Sequence, residues 1–335
     1  MAELLTNVWR GVLIESQHFG YVVITDRDGN ITYALGDPHF VTYWRSAAKP
    51  FQAIPLMEQG GMEKYGLTSQ EIALMCASHG GEAAHVQAAC NILDKIGLLP
   101  SNLHCGPSLP LHQESAENLL MAQKVYNALH HNCSGKHAGM LALAQLTGVD
   151  PEGYYKTEHP VQQMMLEVIS DCVGMPVDDI IIGVDGCGVP VYGLPLVNMA
   201  MAYARFAKPE GYTVAARADA LRRVCRAMTA EAYYVAGTDR MDTELMTVTK
   251  GRIVAKVGAE GVYGLGIVDE GIGLALKVAD GNLRSVGPVV ISLLKKFGWI
   301  TEAEFKQLQH WWRPPLKNSR DEVIGRIESA IAADD

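Results

Sequence analysis

Several short stretches of this 335-residue chain place hydroxyls and amines at spacings that suit acyl transfer. The first is Trp44-Arg45-Ser46-Ala47-Ala48-Lys49-Pro50, which leads into an apolar, helix-like run. Proline is tolerated in a first helical turn, so Ser46 falls at a helix start and Lys49 stands about one turn later on the same face. A lysine so placed can deprotonate a serine hydroxyl if burial or another cation lowers its own affinity for protons. Taken alone, such a pair reads as a helix cap followed by a surface charge. Two later stretches change the balance. Ser78-His79-Gly80-Gly81-Glu82 sets a serine and a histidine in a tight turn between helical segments, and Ile253–Gly258 carries Lys256 in an otherwise apolar strand. Each has a structural alternative: Ser78 as a cap for the helix near Glu82, and Lys256 as a solvated strand residue.

The order Ser46/Lys49, Ser78, Lys256-Val257-Gly258 parallels the S-x-x-K, second serine and K-T-G series of penicillin-binding proteins and class A β-lactamases. Here no S-D-N triplet exists, and Val257 stands where the third motif has a hydroxyl residue. The constellation, more than any one member, points to a serine nucleophile surrounded by cations.

Sulfur is arranged differently. Seven cysteines, an odd number, do not form a disulfide framework. Cys76, Cys90, Cys172 and Cys225 lie in apolar helix-like contexts and read as small hydrophobes. In His131-Asn132-Cys133-Ser134-Gly135-Lys136-His137, Cys133 and Lys136 are three apart at a helix start, and in Val184-Asp185-Gly186-Cys187-Gly188 a cysteine follows a predicted strand. Two cysteines in polar turns could supply half of a zinc site, but neither C-x-x-C nor H-x-x-x-H spacing is present, and His131 or His137 would be the conventional further ligand.

These residues need a scaffold. Val8–Glu15, Tyr21–Thr25 and Ile31–Ala34 read as strands around the Asp28-Gly29-Asn30 turn. Residues 47 to about 128 are mostly helical, with capping at Thr68 or Ser69, and helices over Glu82–Ile96 and Ser115–Leu129. Further helices start near Ser134 and after Pro160. Ile180–Val184 reads as a buried strand, followed by helices over Leu196–Phe206 and Val214–Tyr234. Glu244 to Val278 returns to strand, with Lys250-Gly251-Arg252 as a hairpin turn. Helices over Pro288–Phe297 and Asp321–Ala332 close the chain. The order is strands, helices, strands, helices, not βαβα, so the fold class is α+β: an antiparallel sheet from both chain ends with helices packed on it. No linker or repeat divides residues 1–335, which predicts a single domain.

Composition narrows the partners. The formal net charge of −9, with no basic run, argues against nucleic acid, and no apolar stretch reaches membrane-spanning length. The first residues, Met1-Ala2-Glu3-Leu4-Leu5-Thr6, lack a secretory pattern, so the expected location is cytoplasmic.

Together, Arg45–Gln52, Ser78–Glu82, Asn132–His137, Gly183–Gly188 and Lys256–Gly261 resemble the rhizobial-type asparaginases, the class 3 or "asparaginase II" family. The T-G-G-T-type threonine motif of bacterial-type asparaginases and the glycine–threonine autoproteolytic junction of plant-type enzymes are both absent. The resemblance implies a fold similar to serine β-lactamases and glutaminases, and hydrolysis of L-asparagine to L-aspartate and ammonia in a homodimer. It implies two serine–lysine tandems, Ser46 with Lys49 and Ser78 with Lys256. It also implies a zinc ion held by Cys133, Lys136 and Cys187. For a free amino acid, Arg45 could pair with the substrate carboxylate and Asp185 with its ammonium. Ser46 is the first choice of nucleophile and Ser78 the contender. The competing readings are a glutaminase, a β-lactam- or peptide-active serine hydrolase, and a non-catalytic zinc-binding ligand sensor.

Overall fold

The computed structural model describes residues 1–212 and 214–331. Eleven strands are present among them: β1 (Glu3–Arg10), β2 (Leu13–Thr25), β3 (Ile31–Leu35), β4 (Val41–Tyr43), β5 (Ile181–Val184), β6 (Pro190–Pro195), β7 (Ile253–Gly258), β8 (Val262–Ile267), β9 (Ile272–Val278), β10 (Pro315–Lys317) and β11 (Val323–Ser329). Eight form an antiparallel sheet in the order β10-β11-β1-β2-β9-β8-β7, with β3 also pairing β2. The other three make a small sheet, β4-β6-β5. The large sheet is built from both ends of the chain with helices packed on it, as the element order predicts.

The long strand β2 shows why. Its first half, Leu13–His18, carries polar residues and pairs with β1, while its second half, Tyr21–Thr25, is wholly buried and joins β9 to the sheet. The helix Leu196–Ala207 lies across β9, β8 and β2. Glycines on the sheet permit that close approach: a Cβ at Gly264 would fall inside the Tyr203 ring, and one at Gly273 on the Ala200 carbonyl. Tyr203, Phe206, Trp44 and Phe51 interlock edge-on and tilted, and Tyr203 Oη donates to Ala47 O at 2.7 Å. This cluster anchors the segment that carries Ser46 and Lys49. A second buried element, the helix Ser134–Thr147, has residues 134–144 all out of solvent and packs among the helices Ile54–Glu58, Ser69–Met75 and Ala83–Lys95.

Several expected elements differ. Ile180–Val184 is not a buried strand: Ile181 and Val184 are 52% and 76% exposed, because β5 is an edge strand of the three-stranded sheet, paired on one side by β6. Lys250-Gly251-Arg252 is the turn from the helix Met241–Val248 into β7, and the hairpin turns are Ala259–Gly261 and Val268–Gly271. That helix and Glu302–Trp312 occupy stretches read as strand or left unassigned. The helix expected over Ser115–Leu129 covers Gln113–Met121. The closing helix expected over Asp321–Ala332 is instead β11, since β1 offers an open edge for it to pair, and Ala332 lies outside the described residues.

Candidate active site

Ser46 lies in a single 3-10 turn, Arg45–Ala48, which passes directly into the short helix Lys49–Gln52. Residues three apart eclipse in such a turn, so Ser46 and Lys49 share a face. Arg45 holds φ at +52°, in the left-handed region that costs a side-chain-bearing residue energy. Its guanidinium is tied to Asp185, Nε to Oδ1 at 2.8 Å. The Ser46 side chain is half-buried, and its Oγ has no hydrogen-bond partner among the described residues.

Ser78 is the centre of the arrangement. It follows the helix Ser69–Met75 in a loop pinned by Ser78 N donating to Val235 O at 3.0 Å and His79 N to Asn132 O at 3.3 Å. Lys49 Nζ donates to Ala77 O at 2.6 Å and to Ser78 Oγ at 3.0 Å. Lys256 Nζ, reaching in from β7, meets the same Ser78 Oγ at 3.0 Å. Lys49 meets Ser46 only through the backbone, its N–H donating to Ser46 O; its Nζ makes no hydrogen bond to Ser46 Oγ. Both lysines converge on the second serine, and both are buried.

Asp242, in the first turn of the helix Met241–Val248, accepts from Val257 N at 2.9 Å and stands 3.8 Å from Lys256 Nζ. Burial pulls Lys256 down to about 7, against the raising effect of Asp242 and with help from the Lys49 charge. At neutral pH a large fraction of Lys256 is therefore free amine, able to accept a proton through Ser78.

The loop that carries Ser78 is held by a neutral imidazole and a carboxylate. Gly81 N donates to His79 Nδ1 at 3.0 Å, which leaves the proton on Nε2 to bond Ser134 Oγ at 2.9 Å. Burial, then the neighbouring His85, keeps His79 well below its ordinary range. Glu82 closes the loop by accepting from Thr238 N at 3.0 Å, Thr238 Oγ1 at 2.7 Å and Tyr233 Oη at 3.1 Å.

Ser134 opens the helix that carries Lys136, and here the sulfur residues meet. Lys136 Nζ donates to Cys187 Sγ at 3.0 Å, and the three residues Cys133, Lys136 and Cys187 are all buried. A hydrogen bond from Cys187 holds the Cys133 thiol well below its usual range, assisted by Lys49 and Lys136, while that same bond and burial push Cys187 up. Burial lowers Lys136, but the two sulfurs and Asp185 outweigh it and raise the lysine overall. Asp185 also accepts its own Gly186 N at 2.9 Å, so the turn 185–188 presents a carboxylate and a thiol side by side. Among the described residues no group of three or more His, Cys, Asp or Glu is placed to hold a metal, so a lysine would have to complete any set here. His137 is engaged elsewhere, with Nδ1 at 2.7 Å from Tyr154 Oη, and His131 Nδ1 accepts from Cys133 N at 3.0 Å.

The candidate serines and lysines on one side, and Cys133, Lys136 and Cys187 on the other, thus fall in two adjoining groups, joined by Arg45–Asp185 and by His79–Ser134. Asp242, His79 as a loop brace, and Ser134 carry no assignment from sequence. His79 and Ser134 left a trace there, as the histidine of a tight turn and as a helix start, whereas Asp242 left none.

The chain belongs to the asparaginase II family: the family model described as L-asparaginase II matches residues 6–329. Membership makes it an amidohydrolase by class. No curated protein matches. Among solved structures, a β-lactamase from Mycobacterium bovis is 11% identical over 78% of this chain and 88% of its own, with a TM-score of 0.37. The octameric penicillin-binding protein homologue from Pyrococcus abyssi is 13% identical over 87% and 76%, with a TM-score of 0.43. Scores in this range carry no assignment of chemistry.

Proposed function

We propose that the protein hydrolyses the side-chain amide of free L-asparagine to L-aspartate and ammonia through serine–lysine catalysis. The observation that carries this reading is Ser78 Oγ held 3.0 Å from both Lys49 and Lys256, with the unbonded Ser46 hydroxyl one turn before Lys49. Ser46 is the nucleophile in this scheme, because its oxygen is accessible and uncommitted, whereas two N–H donors already engage the oxygen of Ser78. Lys49 takes the Ser46 proton as it passes one through Ser78 to the free amine of Lys256. Ser46 Oγ bonds to the amide carbon, and the relay runs backwards to protonate the nitrogen as the C–N bond breaks. Ammonia leaves, and water cleaves the resulting aspartyl ester to regenerate Ser46.

Arg45 and Asp185, paired with each other at 2.8 Å, form an opposed cation and anion of the kind a zwitterionic amino acid needs. The substrate carboxylate would take Arg45 and its ammonium Asp185. Two thiols and an amine in contact, with one sulfur drawn toward thiolate, also fit a zinc ion on Cys133, Lys136 and Cys187. Lys136 must surrender its proton to ligate. A bound zinc would orient groups at the rim of the substrate site. We further propose a cytoplasmic homodimer. The exposed apolar residues Val41, Tyr43 and Ile181 on the small sheet support the assembly.

Ammonia release from asparagine and glutamine, on protein whose zinc content is measured with and without a chelator, tests the reading. Asparagine should be preferred over glutamine. Ser46→Ala should abolish both turnover and any trappable aspartyl ester, and Ser78→Ala should slow turnover by about 10²–10⁴-fold. Ester formation in Ser46→Ala would transfer the nucleophile to Ser78, and zinc binding with no ammonia from any amide would make the protein a ligand sensor instead.

A further inference from the structure

One buried base takes no part in the chemistry above. His85, in the first turn of the helix Ala83–Lys95, is wholly out of solvent. Its Nε2 lies 3.0 Å from Tyr233 O, and a carbonyl only accepts, so Nε2 carries the proton and Nδ1 presents a lone pair. That lone pair has no hydrogen-bond partner, and Glu82 Oε1 stands 3.8 Å from it. The surroundings are tight. A Cβ on Gly237 would fall 2.5 Å from Glu82 Oε1 and 3.2 Å from His85 Cε1, and one on Gly80 would fall 2.8 Å from the same oxygen. The other titratable groups facing the ring bring no negative charge at neutral pH. His79 and Tyr233 lie nearly parallel to it at 5.0 Å and 4.7 Å, Tyr234 meets it edge-on at 5.9 Å, and His112 opposes a charge on it. The helices Ser69–Met75 and Ser134–Thr147 and the turn Ala128–His130 pack on the same helix and, among the described residues, send it no bond or ion pair. Burial holds His85 neutral, below its ordinary range, against the raising effects of Tyr233 O and Glu82.

Glu82 Oε1 also accepts from Thr238 N, so it cannot close on His85 without leaving that bond. We propose that His85 is a proton-operated latch on the loop that carries Ser78: a proton taken by Nδ1 bonds Glu82 Oε1 and draws that carboxylate off Thr238. Closing the gap to a hydrogen bond moves the carboxylate by about 1 Å, and Gly80 and Gly237, which pack against it, must move with it. Gly80 follows Ser78, and Thr238 leads into the helix of Asp242, so acid loosens both partners of Lys256. Folded His85 binds this proton less tightly than the unfolded chain does, so below about 6.5 the residue makes stability fall as pH falls. The effect on turnover rests on the asparaginase reading; the latch does not.

Nuclear magnetic resonance of the full chain, labelled with nitrogen-15 in its histidine rings, tests it. His85→Gln identifies the signal, since glutamine keeps an N–H for Tyr233 O and cannot titrate. His85 should carry its proton on Nε2 alone at neutral pH and gain a second on Nδ1 below about 6.5, with faster amide exchange at Thr238. Glu82→Gln should weaken that second proton at least about tenfold. Urea titrations in the acid range should show proton uptake on unfolding smaller by up to about one proton in His85→Gln. In an amidase assay the acid limb of kcat/KM should approach second order in protons for the wild type, through Lys256 and His85, and stay first order in His85→Gln. A ring that stays neutral until the protein unfolds overturns the proposal. So does a protonated ring with Thr238 exchange unchanged, or equal proton uptake by both proteins. A latch that responds in a protein with no amidase activity would remove the function proposed above and leave the switch.

Discussion

In the proposed scheme, Lys256 concentrates the chemistry in one proton. Burial brings it to about 7, and Asp242 is the group that keeps it from falling further. The scheme needs the free amine, so activity should rise with pH through the neutral range. Asp242→Asn removes the charge that favours the ammonium while leaving an oxygen for Val257 N, so the rising limb of kcat/KM should move to lower pH. A limb that stays in place would assign it to another group. The linkage to stability has the same origin. Lys256 binds protons less tightly folded than unfolded, so between about 7 and about 10.4 the unfolded chain holds more protons and this residue makes stability rise with pH. At this scale the sequence was legible where partners lie close along the chain. Ser46 with Lys49 and Cys133 with Lys136 are visible as spacings, and both pairs stand in the site. What spacing could not tell was that Lys49 would bond Ser78, 29 positions away, rather than Ser46. Nor could it pair Asp242 with Lys256, because a helix and a strand must pack before that carboxylate and amine meet.

The elements that hold these residues depend on close approach. Gly135, between Cys133 and Lys136, lies against the backbone of the helix Ser69–Met75: a Cβ there would fall well inside contact with the Leu74 carbonyl. Backbone cannot step aside as a flexible side chain does. Gly135→Ala should therefore destabilise the protein by about 1–3 kcal/mol and displace Ser134 from His79, read as a lower denaturant midpoint with reduced turnover. An unchanged midpoint would mean the two helices separate without cost. Elements with local punctuation were legible: Thr68 with Glu71 caps a helix where expected, and a helix starts at Ser134. The box of Thr301 with Glu304 was equally plain, and it opens the helix that sequence reading left unassigned. β11 was not legible, because Val-Ile-Gly-Arg-Ile-Glu-Ser fits either period, and its pairing with β1 across the chain decides for strand.

On the scale of the whole molecule, one buried apolar cluster runs from Leu5 to Ile331. The segment Thr6–Arg10 of β1 pairs with Gly325–Ser329 of β11, and Thr6 Oγ1 bonds Ser285 Oγ at 2.8 Å inside the core. Lys256 lies at the far side of the same sheet, on β7. Deleting residues 315–335 should therefore do more than trim a terminus. It opens the edge of β1 and uncovers the helix Val286–Lys296, so the shortened chain should lose its single cooperative unfolding transition and self-associate on size exclusion. A monomeric, cooperatively melting product would show that β10 and β11 are dispensable. The pairing of β1 with β11 also governs synthesis. A nascent chain cannot complete this sheet until residue 329 has cleared the ribosome, so β1 waits with one edge bare while the residues between it and β11 are made. Folding of so non-local a topology is slow, and the hairpin of β1 with β2 covers only the opposite edge, so the edge that β11 will take stays open to mispairing until β11 arrives.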